Sequence, residues 1–256
     1  MVRYPKDYSP IMEYYSQIKD GKVTVSRKVQ RIYQKLAEDL SGSTGADGTM
    51  YHYSPSRANH ILEFAENYCR HSKGKLGGQL IVLELWEKAM LAAMFGFIDD
   101  EGRRRYREVV LIVAKKNGKS LISSIVGLYL QVGDGEPGAE VYAVATKKDQ
   151  AKIIWGEAKR MVNKSPELRK LIKPLVGEMD CAVNESVFKP LASDTDTLDG
   201  LNVHGALMDE VHQWRDGMAL YNIIADGTTA REQPMTLITT TAGVVREDIY
   251  DNKYEY

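Results

Sequence analysis

The sequence predicts an α/β fold in which a mainly parallel sheet is flanked by helices, preceded by an N-terminal helical segment. Three observations carry that prediction. Four apolar runs, at 109–114, 140–145, 203–208 and 235–241, read as buried strands, the last rich in the β-branched residues that suit them. Helical patterns separate them, and strand–helix alternation is the signature of a parallel sheet covered by helices. Finally, Ser120, Asp209 and Thr241 fall just past strand ends, where ligands bind in sheets of this kind.

Taken in order, residues 1–56 read as an N-terminal extension, partly helical. Between Val23 and Leu40 the residues Val29, Ile32, Tyr33, Leu36 and Leu40 share one helical side. The stretch SGSTGADG at 41–48 reads as a flexible connection. From residue 57 to 256 the chain reads as one domain. A helix begins at Ser56 and places Ile61, Phe64, Ala65, Tyr68 and Cys69 at helical spacing; another carries Leu83, Trp86, Met90, Ala93, Met94 and Phe97. These stripes are core faces. After the first apolar run comes a helix at 121–130. Another spans 148–163, where Ala151, Ile154, Trp155, Ala158 and Met161 share a face.

The chemistry sits in two motifs. Residues 113–120 read VAKKNGKS. Gly118, Lys119 and Ser120 fit the last three positions of the phosphate-binding loop G-x-x-x-x-G-K-[ST], while Val113 stands at its first glycine. Gly118 lets backbone N–H groups at a helix start approach an anion. Lys119 then reaches the β- and γ-phosphates of ATP, and Ser120 holds Mg²⁺. Lys115 and Lys116 add positive charge, and Asn117 completes the loop. The second motif is Asp209-Glu210, closing the run at 203–208. Adjacent carboxylates at a buried strand end are costly unless a cation compensates. Asp209 is expected to contact Mg²⁺, and Glu210 to orient and deprotonate the attacking water. His212 reads as a polar loop residue. A third element, Thr239, Thr240, Thr241 and Gly243, places hydroxyls at another strand end.

These residues resemble the large terminase subunit of tailed bacteriophages, in its N-terminal ATPase domain. The resemblance runs from about Arg57 to the C-terminus and is most specific in DTLDGLNVH at 196–204 leading into LMDEVH at 207–212. It implies a P-loop NTPase fold of the ASCE, RecA-like type, with the third strand lying between the two motif strands. A phosphate loop lacking the first glycine is a mark of that family. Carried over by position, Lys119 and Ser120 match the phosphate and Mg²⁺ residues, and Asp209 and Glu210 the metal-binding acid and catalytic carboxylate. Thr239, Thr240, Thr241 and Gly243 match the motif coupling hydrolysis to DNA movement. Lys115 stands where many members carry a catalytic arginine; it keeps the charge but not the planar fork. On the adenine side Trp86 is followed by Glu87 rather than glutamine, leaving Gln79 as an alternative; an ionised Glu87 accepts from the adenine amino group but donates nothing. The resemblance also implies double-stranded DNA, portal protein and small terminase subunit as partners, in a homo-oligomeric ring on the procapsid or a monomer in solution, within the host cytoplasm. The family's C-terminal nuclease domain is expected to be absent, and DNA cleavage with it.

Composition sets bounds. With 256 residues, 43% hydrophobic and 27% charged, the chain has the make-up of an ordinary globule. Its net charge of −1 confines any DNA contact to a local patch. The densest basic stretch, GRRRYRE at 102–108, reads as a solvated hairpin. Two cysteines, Cys69 and Cys181, suggest neither a disulfide framework nor a zinc site. No apolar run approaches the ~20 residues of a membrane span. Asp194, Asp196 and Asp199 read as a polar turn rather than a second metal site. Two other functions fit the same motifs: another nucleic-acid-dependent ATPase of helicase type, or a non-hydrolysing assembly module docking portal or small subunit.

Overall fold

A computed structural model describes residues 1–193, 200–214, 217–241 and 249–255. Contacts divide the chain into two compact units. One comprises Met1–Asn67 with Leu80–Arg107, the other Tyr68–Gln79 with Glu108–Tyr256. Residues 57–67 and 80–107 thus group with the N-terminal helices rather than with the large sheet.

The first unit opens with α1 (Pro10–Lys19), which has no counterpart in the sequence reading. Its local signals are sound: Ser9 caps it by accepting the Met12 N–H, and Pro10 occupies its first turn. Helix α2 (Arg27–Asp39) starts after a Ser26 cap, later than the apolar pattern suggests. Tyr33 and Leu36 carry its buried face, whereas Ile32, expected on that face, is 54% exposed. The expected flexible connection at 41–48 instead contains β1 (Ser43–Thr44), antiparallel to β2 (Met50–Tyr53). Then come α3 (Pro55–Tyr68), α4 (Leu85–Gly96) and β3 (Phe97–Ile98), the last pairing with β2. Ile11, Tyr14, Ile18, Leu36, Ala89 and Phe97 are among the residues of one buried cluster.

In the second unit the predicted alternation appears. In chain order its elements are β4 (Glu108–Ile112), α5 (Lys119–Val132), β5 (Glu140–Ala145), α6 (Lys148–Lys164), α7 (Leu168–Leu171), β6 (Ile172–Pro174), β7 (Met179–Cys181), β8 (Ser186–Ala192), β9 (Val203–Asp209), a 3₁₀ turn (Val211–Gln213), α8 (Gly217–Gly227), β10 (Met235–Thr240) and α9 (Ile249–Glu255). Among the described residues they build a seven-stranded sheet of order β4-β10-β9-β5-β8-β7-β6. The first five in that order run parallel, and β7 and β6 turn antiparallel at one edge. All four predicted strands form. The edge β6–β7 and strand β8 were not expected, nor was α8.

Strand β10 lies between β4 and β9, the order the resemblance implies. Thr239 pairs with Leu111 on one side and Asp209 on the other. That register sets the ends of the phosphate loop, the carboxylate pair and the threonine run side by side. Helix α5 presses closely onto the sheet at Gly127, where a Cβ would lie 2.6 Å from Leu207 and 2.7 Å from Phe188. Ser124 ties α5 to α6 by donating to the Ile154 carbonyl at 3.1 Å.

Candidate active site

The phosphate loop continues directly from β4. The Val113 N–H still donates to the Thr240 carbonyl at 3.1 Å, so the ladder extends one residue into the loop. A β-branched residue fits that strand-like position better than glycine would. Further on, Lys116 and Gly118 both adopt positive φ, at 69° and 74°. Glycine takes that conformation freely, whereas at Lys116 it carries a steric cost. The Asn117 amide braces the turn by donating to the carbonyls of Ala114 at 3.1 Å and Lys115 at 3.3 Å. Gly118 in turn is the N-cap of α5, with no side-chain cap. The helix start therefore offers its N–H groups outward, as an anion-binding site requires. Lys115, Lys116 and Asn117 are exposed, Ser120 is half-buried, and Lys119 is buried.

Opposite stands the end of β9. Asp209 accepts the Thr239 hydroxyl at 2.8 Å and the Glu210 N–H at 2.9 Å. Burial pushes its carboxyl above the ordinary carboxylate range; the neighbouring Glu210 charge adds to this, while the Thr239 hydroxyl, the Glu210 N–H and Lys119 oppose it. Glu210 also has a positive φ of 51°. This left-handed turn, held by its N–H on the Thr239 carbonyl at 2.8 Å, swings its side chain toward the loop. There Lys119 Nζ lies 3.4 Å from Glu210 Oε1, and the Thr241 hydroxyl donates to Oε2 at 3.3 Å.

Thus the structure gathers Lys119, Asp209, Glu210, Thr239 and Thr241 into one connected group, with Thr240 joined through His212. His212 was missed as a site residue: its Nδ1 lies 2.8 Å from Thr240 Oγ1 and 3.2 Å from Glu210 Oε2. Its sequence signals were its position two residues beyond the carboxylate pair and its place in the LMDEVH stretch at 207–212. Gly243 and the acidic residues Asp194, Asp196 and Asp199 lie outside the described residues. Trp86 and Glu87 belong to the other unit and have local work there. Trp86 packs against that unit's buried cluster. Glu87 accepts the Glu84 N–H at 2.9 Å in a capping box at the start of α4. Gln79 is engaged through its backbone, accepting the His71 N–H. The arginine-rich hairpin, read as solvated, is instead largely engaged: Arg103 pairs with Asp99 and Glu101, Arg104 is buried, and Arg105 pairs with Asp39 of α2.

The donor set suits Mg²⁺–nucleotide. Among the described residues no three His, Cys, Asp or Glu side chains cluster as an all-protein metal cage. Mg²⁺ prefers one or two protein oxygens completed by phosphates and water, which the Ser120 hydroxyl and the half-buried Asp209 carboxylate can supply.

A sequence profile of the family "Terminase large subunit, ATPase domain" matches residues 85–256. The large terminase subunit of Enterobacteria phage HK97 is 26% identical over 202 residues, covering 76% of this chain and 38% of that protein. The crystal structure of the HK97 large terminase superposes with a TM-score of 0.66 at 22% identity, over 78% of this chain and 40% of that one. The chain thus spans about two fifths of the length of these relatives. The superposition supports the fold, and the profile match covers well over half of the sequence: the chain belongs to the family of terminase large subunit ATPase domains.

Proposed function

We propose that this domain hydrolyses ATP at the end of β4, β9 and β10 and couples each turnover to the movement of double-stranded DNA into a viral procapsid. The observation that carries the reading is the linkage of Lys119, Glu210 and Thr241 across three strand ends. It joins a phosphate-binding residue, a base and the coupling strand within hydrogen-bond reach.

Lys119 and the N–H groups at the start of α5 bind the β- and γ-phosphates. Ser120 and Asp209 would hold Mg²⁺, which would supply charge neutralisation at the phosphates. The left-handed turn at Glu210 presents its carboxylate where a water can be oriented and its proton accepted. With phosphate bound, Lys119 turns from Glu210 Oε1 to the phosphate, and that oxygen becomes free to accept. Thr239, Thr240 and Thr241 report the change along β10. Lys115, exposed on the loop, supplies transition-state charge where other members carry arginine. In the whole protein, the domain works in a homo-oligomeric ring with portal and small subunit in the host cytoplasm.

The test is Glu210→Gln, assayed for ATP binding by calorimetry and for phosphate release. Nucleotide affinity is expected to stay within about twofold while turnover falls by about 10²–10⁴-fold, the usual worth of a general base. Turnover at the parental rate would remove Glu210 from this role.

A further inference from the structure

We infer that His212 is a positioning residue that fixes the Glu210 carboxylate to β10, so that the base and the coupling strand move as one unit. The inference rests on the reading of Glu210 as the base and adds a role for a residue to which the sequence reading gave none.

The argument is one of donors and acceptors. Thr240 Oγ1 donates to the Thr241 carbonyl at 3.3 Å, so its lone pairs face outward as acceptors. Two donors of His212 meet it: the backbone N–H at 3.4 Å and the ring Nδ1 at 2.8 Å. Gln213 Nε2, which can only donate, stands 3.3 Å from His212 Nε2. The neutral ring therefore accepts at Nε2 and carries its proton on Nδ1. That proton points to Thr240 Oγ1, and Glu210 Oε2 lies 3.2 Å from the same nitrogen, in electrostatic contact with the ring. The Thr241 hydroxyl reaches the same Oε2 at 3.3 Å. Oε2 is thus flanked by the Thr241 hydroxyl, just past β10, and by the His212 ring, itself bonded to Thr240 of β10, leaving Oε1 for Lys119 and, during turnover, for water.

Division of labour between the two oxygens has a mechanical consequence. A carboxylate on a left-handed turn has freedom about its side-chain torsions, and a general base must meet its proton within hydrogen-bond reach. His212 restricts that freedom through a ring nitrogen that the 3₁₀ turn, begun by Glu210 itself, places 3.2 Å from Oε2. The ring is 15% exposed, which limits competition from solvent. A shift at the end of β10 therefore moves the base, and a change at Glu210 when Lys119 leaves it is transmitted to β10 through the same ring.

The experiment compares His212→Asn, which keeps an N–H donor near Nδ1, with His212→Leu, which keeps bulk and removes it. Steady-state ATPase kinetics and thermal melts of both are run beside Glu210→Gln. His212→Leu is expected to lose about tenfold or more in kcat with KM for ATP within about twofold, the signature of an interaction acting after binding. His212→Asn is expected to recover most of that loss. In the Glu210→Gln background, His212→Leu should add nothing, since both act through one group. Equal kcat for the two folded variants, with Glu210→Gln inactive, overturns the role of His212 alone. A fully active Glu210→Gln overturns the underlying reading of the base instead. Should His212→Leu fail to fold, Thr240→Val removes the acceptor from the strand side, and a parental kcat there also overturns the link.

Discussion

Two dense clusters of charge, one in each unit, look equally promising in the sequence and behave oppositely in the fold. In the hairpin at 102–107 the charges cancel locally. Arg103 meets Asp99 at 2.8 Å and Glu101 at 2.7 Å. Arg104, 3% exposed, lies over the Phe95 ring. Arg105 reaches Asp39 and Ser43 at 2.7 Å each. At the strand ends of the second unit the charges do not cancel. Lys119 is the cation paired there with Glu210, while Asp209 is held above its ordinary range by burial and then by the Glu210 charge. Two non-glycine residues there, Lys116 and Glu210, sit at positive φ. Charge that closes on itself stabilises; charge left in excess on a strained backbone awaits a ligand.

The largest effect that separates the clusters is on stability in the hairpin. Arg105→Ala should destabilise the N-terminal unit by about 3 kcal/mol, because it strips a partner from a buried carboxylate. Lys35 remains on Asp39 at 2.8 Å, which keeps the loss toward the low end of such cases. Burial alone would raise the Asp39 carboxyl, but hydrogen bonds from Lys35 and Arg105 outweigh it and hold the group below its ordinary value. A lowered carboxylate stabilises above its unfolded pKa, and the stabilisation is lost as pH falls through the folded one. Urea unfolding at pH 7 and pH 3 should therefore show the variant's deficit shrinking in acid. A deficit independent of pH would assign the loss to packing against Tyr51, Phe97 and Tyr106.

How much of this was legible follows from the same contrast. Strands β5, β9 and β10 could be read because each is a largely apolar run, nearly all of it buried, and β4 because its apolar run is continuous although half-buried at the sheet edge. Strands β6 and β7 are three residues each, and β8 carries Lys189-Pro190, so none has a run to read. Helix α1 was masked by its tyrosines, although Ser9 and Pro10 mark its start. Ile32 fits the stripe of α2 by spacing yet faces out, because spacing gives a side of the helix and not the width that is covered. At the site, Lys119, Asp209 and Glu210 follow from local motifs. His212 does not: its partner Thr240 is 28 residues away, and only the adjacency of β9 and β10 brings them together. The pairing state of the arginines was equally hidden, since Asp39 lies 66 residues from Arg105.

At the site the smaller, opposite effect is expected. Asp209→Asn should raise the melting temperature without nucleotide by about 2–4 °C, on the order of 1 kcal/mol for a chain of this size, while abolishing Mg²⁺-dependent turnover. The sign follows from linkage. A carboxylate whose folded pKa is raised favours folding below the unfolded pKa, and that contribution is lost as pH rises through the folded value. At pH 7 the parental Asp209 is therefore a net cost that asparagine removes, and at pH 4 the two proteins should melt closer together. A lower melting temperature for the variant at pH 7 would mean that its charge is already compensated and that the site is not cation-poor.

The smallest effect belongs to the one arginine of the hairpin that faces solvent. Arg107 is exposed, and its counter-charge is Asp47. The Asp47 carboxyl lies below its ordinary value chiefly because it accepts the Thr49 N–H, at 3.0 Å, and hydroxyl; Arg107 comes last among the causes. Exposed pairs of this kind contribute little and are screened by salt. Arg107→Ala should therefore shift the melting temperature by less than about 2 °C and leave the Asp47 titration, followed by NMR, below the ordinary aspartate range. The Asp47 turn keeps its backbone donor, and the hairpin keeps Arg103, Arg104 and Arg105. A large loss of stability would mean that exposure, as well as pairing, fails to distinguish structural charge in this unit. Loss of DNA-stimulated turnover with unchanged stability would instead make Arg107 the hairpin's single functional cation, moving part of the first cluster across the line that separates it from the second.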